Sequence, residues 1–103
     1  MWAQLITMRL KPGREDDLPT VVAQLRAAEQ PESGLVHTTT TRDKDDPSRV
    51  ITFVVFESEE KARERERDPR RQEGLQAARA TMMEIFEAPP EFTDLTVVGD
   101  WVL

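Results

Sequence analysis

The chain has 103 residues, a net charge of -6, no cysteine, 33% charged residues and 38% hydrophobic ones. That length suits one domain, and the acidic balance, with basic side chains always interleaved with acids, argues against a nucleic-acid partner. The missing cysteine excludes a disulfide framework, a thiolate nucleophile and a sulfur metal site, and no apolar run reaches the ~20 residues of a bilayer crossing.

Taken in chain order, Trp2 to Leu10 is apolar except at Gln4, Thr7 and Arg9, and Lys11-Pro12-Gly13 closes it, which predicts a strand with both faces covered. Leu18, Val21, Val22, Leu25 and Ala28 follow at helical spacing behind Glu15, Asp16 and Asp17, so a first helix is expected to begin near residues 15–17, with Pro19 in its first turn. Pro31 and Gly34 end it. Leu35 to Thr41 and Ile51 to Phe56 are β-rich runs joined by a polar segment, and they predict an antiparallel hairpin. Ser58 stands as an N-cap before Glu59, Glu60 and Lys61, opening a helical stretch that Pro69 must interrupt or kink. Leu75, Ala78, Met82, Ile85 and Phe86 form the apolar stripe of a second segment, stopped by Ala88-Pro89-Pro90. Leu95 to Leu103 reads as the last strand.

The order strand, helix, strand, strand, helix, strand is that of a ferredoxin-like α+β fold, with a four-stranded antiparallel sheet and both helices on one face. One domain over residues 1–103 is expected. The first, third and fourth runs are apolar on both faces, and so short a chain has no further element to cover the second face. The equivalent sheet of a second copy is the economical cover, and a homodimer follows as the expectation. The N-terminus lacks the features of a signal peptide, so a cytoplasmic protein with no membrane partner is expected.

Several residues resemble a known family. Leu10-Lys11-Pro12-Gly13 with its following acids, Ser33-Gly34-Leu35, the hairpin from Arg42-Asp43 through Asp46-Pro47-Ser48-Arg49, Phe56-Glu57-Ser58-Glu59-Glu60 and Asp68-Pro69 are similar to the antibiotic biosynthesis monooxygenase-like proteins of the dimeric α+β barrel superfamily. The resemblance implies two sheets closing a barrel and a ligand pocket in each subunit between helices and sheet. It also implies a choice among cofactor-free oxygenation of aromatic polyketides or quinols, haem degradation, and binding without catalysis. The haem-degrading residues are missing: Ile6 stands where an Asn would be, Arg65 where a Trp would be and Gly74 where a His would be. Arg70 occupies the place of the histidine that often follows the helix proline in monooxygenase-like members.

Within that frame the expected activity is cofactor-independent oxygenation of a small aromatic molecule, with no metal or cofactor. His37, the single histidine, is the candidate base, because imidazole is the side chain most often used as a general base near neutral pH. Ile6, Thr39, Phe56, Met82, Phe86 and Trp101 are the candidate substrate contacts. Core or interface packing also accounts for the apolar members, and β-propensity accounts for the threonines of residues 38–41. Arg9 and Arg42 are candidates for holding an oxyanion or for pairing with acids. Asp43, Asp45 and Asp46 lack the glycine and distal glutamate of a calcium loop and read as a turn, while residues 59–73 read as a solvated, salt-bridged face. The alternative function is a non-catalytic ligand-binding or structural homodimer of the same fold.

Overall fold

A computed structural model describes all residues, 1–103. The elements are β1 (Trp2–Arg9), a 3-10 turn (Glu15–Asp17), α1 (Leu18–Ala28), β2 (Leu35–Arg42), β3 (Arg49–Phe56), α2 (Glu59–Glu66), α3 (Pro69–Ile85) and β4 (Glu91–Thr96). The strands form one antiparallel sheet in the order β2-β3-β1-β4, which is the ferredoxin-like arrangement.

Local chemistry sets the helix boundaries. The Ser58 hydroxyl accepts a hydrogen bond from the Lys61 N–H at 3.1 Å and starts α2. Asp68 caps α3 by accepting from the Arg70 N–H at 2.9 Å, with Pro69 at the first helical position, where its missing N–H is harmless. The proline therefore divides the helical stretch in two rather than kinking it. Gly34, at φ +84°, precedes β2 where a Cβ would lie 2.5 Å from the Lys61 side chain, so only glycine lets β2 start beneath α2.

Alternation along the strands assigns the faces. Trp2, Val54 and Phe56 pack with Ala62 of α2, while Leu10 and Val50 pack with Leu18 and Val21 of α1 and with Ile85 and Phe86 at the end of α3. The even-numbered residues of β1 and β3 thus face the helices. Ala3, Leu5, Ile51, Phe53, Val55 and Leu95 share the opposite face, aligned across β3, β1 and β4 by the pairs Ala3 with Val55 and Leu95, and Leu5 with Phe53. No element of the chain covers that face, and Phe53 remains 40% exposed on it.

One expectation needs correction. The last strand was expected over Leu95 to Leu103, but β4 is Glu91–Thr96, and residues 97–103 have no regular structure. The cause is pairing: β4 exists only where β1 supplies a partner, and Trp2, the first residue of β1, pairs with Thr96. Hydrophobicity marked the tail, and backbone hydrogen bonding marked the strand. The face of each β2 residue, which the sequence leaves open, is set by a bulge. Leu35 pairs with Phe56 and His37 with Val55, so one extra residue is inserted at Val36. Such a bulge reverses the phase of everything beyond it. His37 and Thr39 therefore lie on the open face with Val55 and Phe53, away from the helices, whereas Thr40 lies on the helix side, where the Thr52 hydroxyl bonds to it at 3.2 Å.

Candidate functional site

The helix layer stops short of β4, which is an edge strand of the sheet. Between β4, β1 and α2 this leaves an open cleft of about 310 Å³, lined by Gln4, Arg63, Glu66, Phe92 and Asp94. Gln4 sits on β1 opposite Asp94 and donates to its carboxylate at 3.0 Å. Phe92 lies opposite Ile6 and is 58% exposed, giving the cleft one aromatic wall.

Arg63 organises the polar side. Its guanidinium contacts Glu66 at 3.1 Å, Asp94 at 3.3 Å and Glu59 at 3.4 Å, and it stands 5.0 Å over the Trp2 ring. Partial desolvation opposes its charge, but the carboxylates of Glu66, Asp94 and Glu59 outweigh it and raise the pKa above the ordinary arginine value. The cleft therefore offers a fixed positive charge, carboxylate acceptors, an amide and an aromatic face side by side.

The roof of the cleft is held by polar contacts more than by apolar burial. Ala62 is the only buried residue of α2. Beyond it, Arg65 lies 5.2 Å over the Phe56 ring and donates to Glu29 at the end of α1, at 2.6 to 3.2 Å. Phe56 in turn packs against Trp2, with ring centroids 5.8 Å apart. Arg65 and Glu29 are 16% and 22% exposed, so this bridge is shielded from solvent. Burial alone would raise the Glu29 pKa, yet hydrogen bonds from Arg65 and Ser33 and the charges of Arg65 and Arg71 bring it below its ordinary value of 4.5. A depressed carboxylate contributes stability that is complete above its unfolded pKa and is lost as pH falls through the folded one. Glu29→Gln is accordingly expected to cost about 2 kcal/mol at neutral pH and to flatten the loss of stability below about pH 4.5, measured by urea denaturation across pH. An unchanged acid limb would show that the bridge contributes nothing.

The structure does not gather the residues expected from sequence into one pocket. Ile6 faces the helices and borders the cleft. Phe56 is buried beneath α2, whereas Met82 and Phe86 pack with Leu10 and Ile85 in a separate cluster. Trp101 is in the tail, 82% exposed. His37 and Thr39 contact each other at 3.3 Å on the open face of the sheet, across the β layer from the cleft. Arg70, in the position of the expected histidine, pairs with Asp68 at 2.9 Å. Arg9 pairs with Asp46 at 3.0 Å, and the Asp43 carboxylate accepts from the N–H groups of Asp45 and Asp46, so these acids build the β2–β3 turn. Sequence reasoning missed Gln4, Phe92 and Asp94 and read Arg63 and Glu66 only as part of a solvated face. The available signal was the aromatic-acid pair Phe92 and Asp94, alternate residues of one strand, but that strand had been placed after them.

A four-stranded sheet with its helices on one side and an open apolar face on the other defines the protein's class. The protein-family model described as antibiotic biosynthesis monooxygenase matches residues 1–78, and the chain belongs to that family. Among solved structures it resembles a proposed antibiotic biosynthesis monooxygenase from Nitrosomonas europaea (TM-score 0.75, 12% identity, covering 96% of this chain and 100% of that one). A proposed antibiotic biosynthesis monooxygenase from Chloroflexus aurantiacus matches with TM-score 0.71 and 22% identity, covering 99% of this chain and 98% of the other. SnoaB from Streptomyces nogalater, a cofactor-independent oxygenase, matches with TM-score 0.75 and 17% identity over 96% of this chain and 94% of its own. At these identities the structural likeness concerns the fold. No curated protein matches the chain.

Proposed function

We propose that this family member is a homodimeric, cofactor-independent monooxygenase whose small aromatic substrate, of the quinol or polyketide kind, occupies the cleft under α2. The observation that carries the reading is the pairing of Arg63 with acceptor groups beside an exposed aromatic ring, in a member of a monooxygenase family. Phe92 stacks the substrate, Gln4 and the carboxylates of Asp94 and Glu66 orient its hydroxyl groups, and Arg63 stabilises the anion formed when the substrate loses a proton. Asp94 and Glu66 are both engaged by Arg63, so their role is to orient, and the proton passes to solvent. The substrate carbanion then reduces dioxygen: in an anthrone-like substrate a ring methylene becomes a carbonyl with one oxygen atom, in a quinol a ring C–H becomes C–OH as the quinol is oxidised to the quinone, and in both the second oxygen leaves as water. The substrate supplies all four electrons, so no separate reductant is required.

His37 does not line this cleft, and a role as base would require a substrate on the other side of the sheet. That position favours a second reading, in which the same cleft binds an aromatic metabolite without transforming it. The apolar open face supports the homodimer in both cases, as two such faces exclude water from one another. No helix is long and apolar enough to cross a membrane, and the cytoplasmic location is part of this proposal.

Oxygen uptake with anthrone or a naphthohydroquinone tests the proposal. The protein is expected to consume oxygen, Arg63→Gln to lower the rate about 100-fold, and His37→Ala to leave it unchanged. Saturable binding without oxygen uptake supports the second reading, and loss of activity in His37→Ala overturns the site.

A further inference from the structure

Two arginines of α2 stand over aromatic rings, Arg65 over Phe56 at 5.2 Å and Arg63 over Trp2 at 5.0 Å, but they are held in different ways. Arg65 donates from two of its nitrogens to the single carboxylate of Glu29, at 2.6 to 3.2 Å, in a bridge shielded from solvent. Arg63 is 37% exposed, and its contacts with Glu59, Glu66 and Asp94 are single, 3.1 to 3.4 Å long, and made to acids that are themselves exposed. A forked contact out of water holds firmly, whereas exposed single pairs hold little. Arg65 therefore anchors α2 to the rest of the subunit, and Arg63 is not needed for that purpose.

The place of Arg63 determines what its movement uncovers. Trp2, Gln4 and Ile6 are alternate residues on the helix side of β1, and β4 sets Asp94 beside Gln4 and Phe92 beside Ile6. The cleft follows this strip from Phe92 past Gln4 to Arg63, and Trp2 continues the strip, buried beneath the guanidinium. Two of the acids that hold Arg63 lie on its own helix, Glu59 four residues before it and Glu66 three after, so they remain partners when the side chain swings. Leaving Trp2 costs one exposed pair, to Asp94, which keeps its bond from Gln4, and one cation–π contact. An aromatic ring stacked on the uncovered indole replaces that contact.

We infer that Trp2 is a second aromatic wall of the cleft, and that Arg63 covers its ring as a gate which an aromatic ligand displaces. The inference rests on the cleft being the ligand site, as proposed above, and adds a recognition residue that the closed cleft conceals. The displaced guanidinium stays at the rim with Glu59 and Glu66, within reach of the ligand's oxygen, so one side chain guards the indole before binding and steadies the anion after it.

The test titrates the full chain with anthrone under nitrogen, so that binding is read without turnover. Intermolecular NOEs are expected from the anthrone ring protons to the Trp2 indole as well as to the Phe92 ring. Arg63→Ala has no guanidinium to displace and is expected to bind anthrone as tightly as the parent protein, or up to about tenfold more tightly, while its oxygen uptake in air falls as for Arg63→Gln. Trp2→Leu is expected to bind at least about tenfold more weakly, and Trp2→Phe to recover most of that loss by keeping a ring to stack on. Circular dichroism checks that the variants fold, and the NOEs decide the matter without any substitution. NOEs to Phe92 with none to Trp2, or an affinity at least about tenfold weaker in Arg63→Ala, make Arg63 a fixed wall; either result overturns the inference and leaves the cleft as the site. NOEs to neither ring place the ligand elsewhere and remove both.

Discussion

Ile85→Ala is expected to destabilise the protein by about 3 to 4 kcal/mol, with a fall of roughly 15 °C or more in Tm at fixed protein concentration. Ile85 has no exposed surface and sits at the end of α3 among Leu10, Leu18, Val21, Val50 and Phe86. The space it would leave cannot close easily. Leu10 is bridged to Phe86, the Lys11 N–H donates to the Ile85 carbonyl at 2.8 Å, and the Glu87 N–H donates to the Arg9 carbonyl at 2.9 Å. These bonds fix the end of β1 to the end of α3, so the neighbours retain their positions around the cavity and its full cost is felt. Denaturant unfolding measures the effect. A loss below about 1 kcal/mol would mean that the α3 terminus is not packed as described.

The second large effect is on association. Phe53→Asp is expected to weaken dimerisation at least about 100-fold while changing the stability of the single subunit by less than about 1 kcal/mol. Phe53 faces the open side, opposite Leu5 on β1 and Thr39 on β2, and in the lone subunit it is 40% exposed. An aspartate there is hydrated in the monomer and would be stripped of water between two sheets. Ile85 and Phe53 thus separate the two apolar layers: the first holds the subunit together, and the second is the face offered to the proposed partner. Analytical ultracentrifugation at several concentrations distinguishes them, and an unchanged association constant would show that the open face is not the interface.

Much of this architecture could be read from the sequence because its causes are local. Ser58 and the Asp68-Pro69 pair mark helix starts by chemistry that operates within four residues. The β-rich runs at 35–41 and 51–56 and the apolar stripe ending at Ile85 declare themselves by period alone. The features that were not legible depend on distant partners. The extent of β4 is set by where β1 begins, which the composition of residues 91–103 does not encode. The face of His37 is set by a single inserted residue at Val36, whose effect on register exists only once β2 is paired with β3. The candidate site fails to show in the sequence for the same reason. Arg63 and Asp94 are 31 residues apart, Gln4 and Asp94 are 90 apart, and each looks like an ordinary surface residue until the fold brings it to one cleft.

The position of the cleft also separates two apolar systems that sequence alone merges. Ile6 and Phe56 belong to the end of the sheet beneath α2, whereas Met82 and Phe86 belong to the end closed by α1 and α3. The first cluster borders polar groups and solvent, and the second is filled by its own side chains. The polar groups of the cleft are therefore concentrated where α2 is pinned by Arg63 and Arg65, so a ligand bound there as proposed would be coupled to the electrostatics that hold that helix down.

Backbone and arginine side-chain NMR shifts recorded while a naphthohydroquinone is titrated into the protein test this location most directly. Saturable shifts at Gln4, Arg63, Glu66, Phe92 and Asp94, with His37 and Thr39 unmoved, are the predicted result. Shifts centred on His37, Thr39 and Phe53 would place the ligand between the sheets and contradict the site.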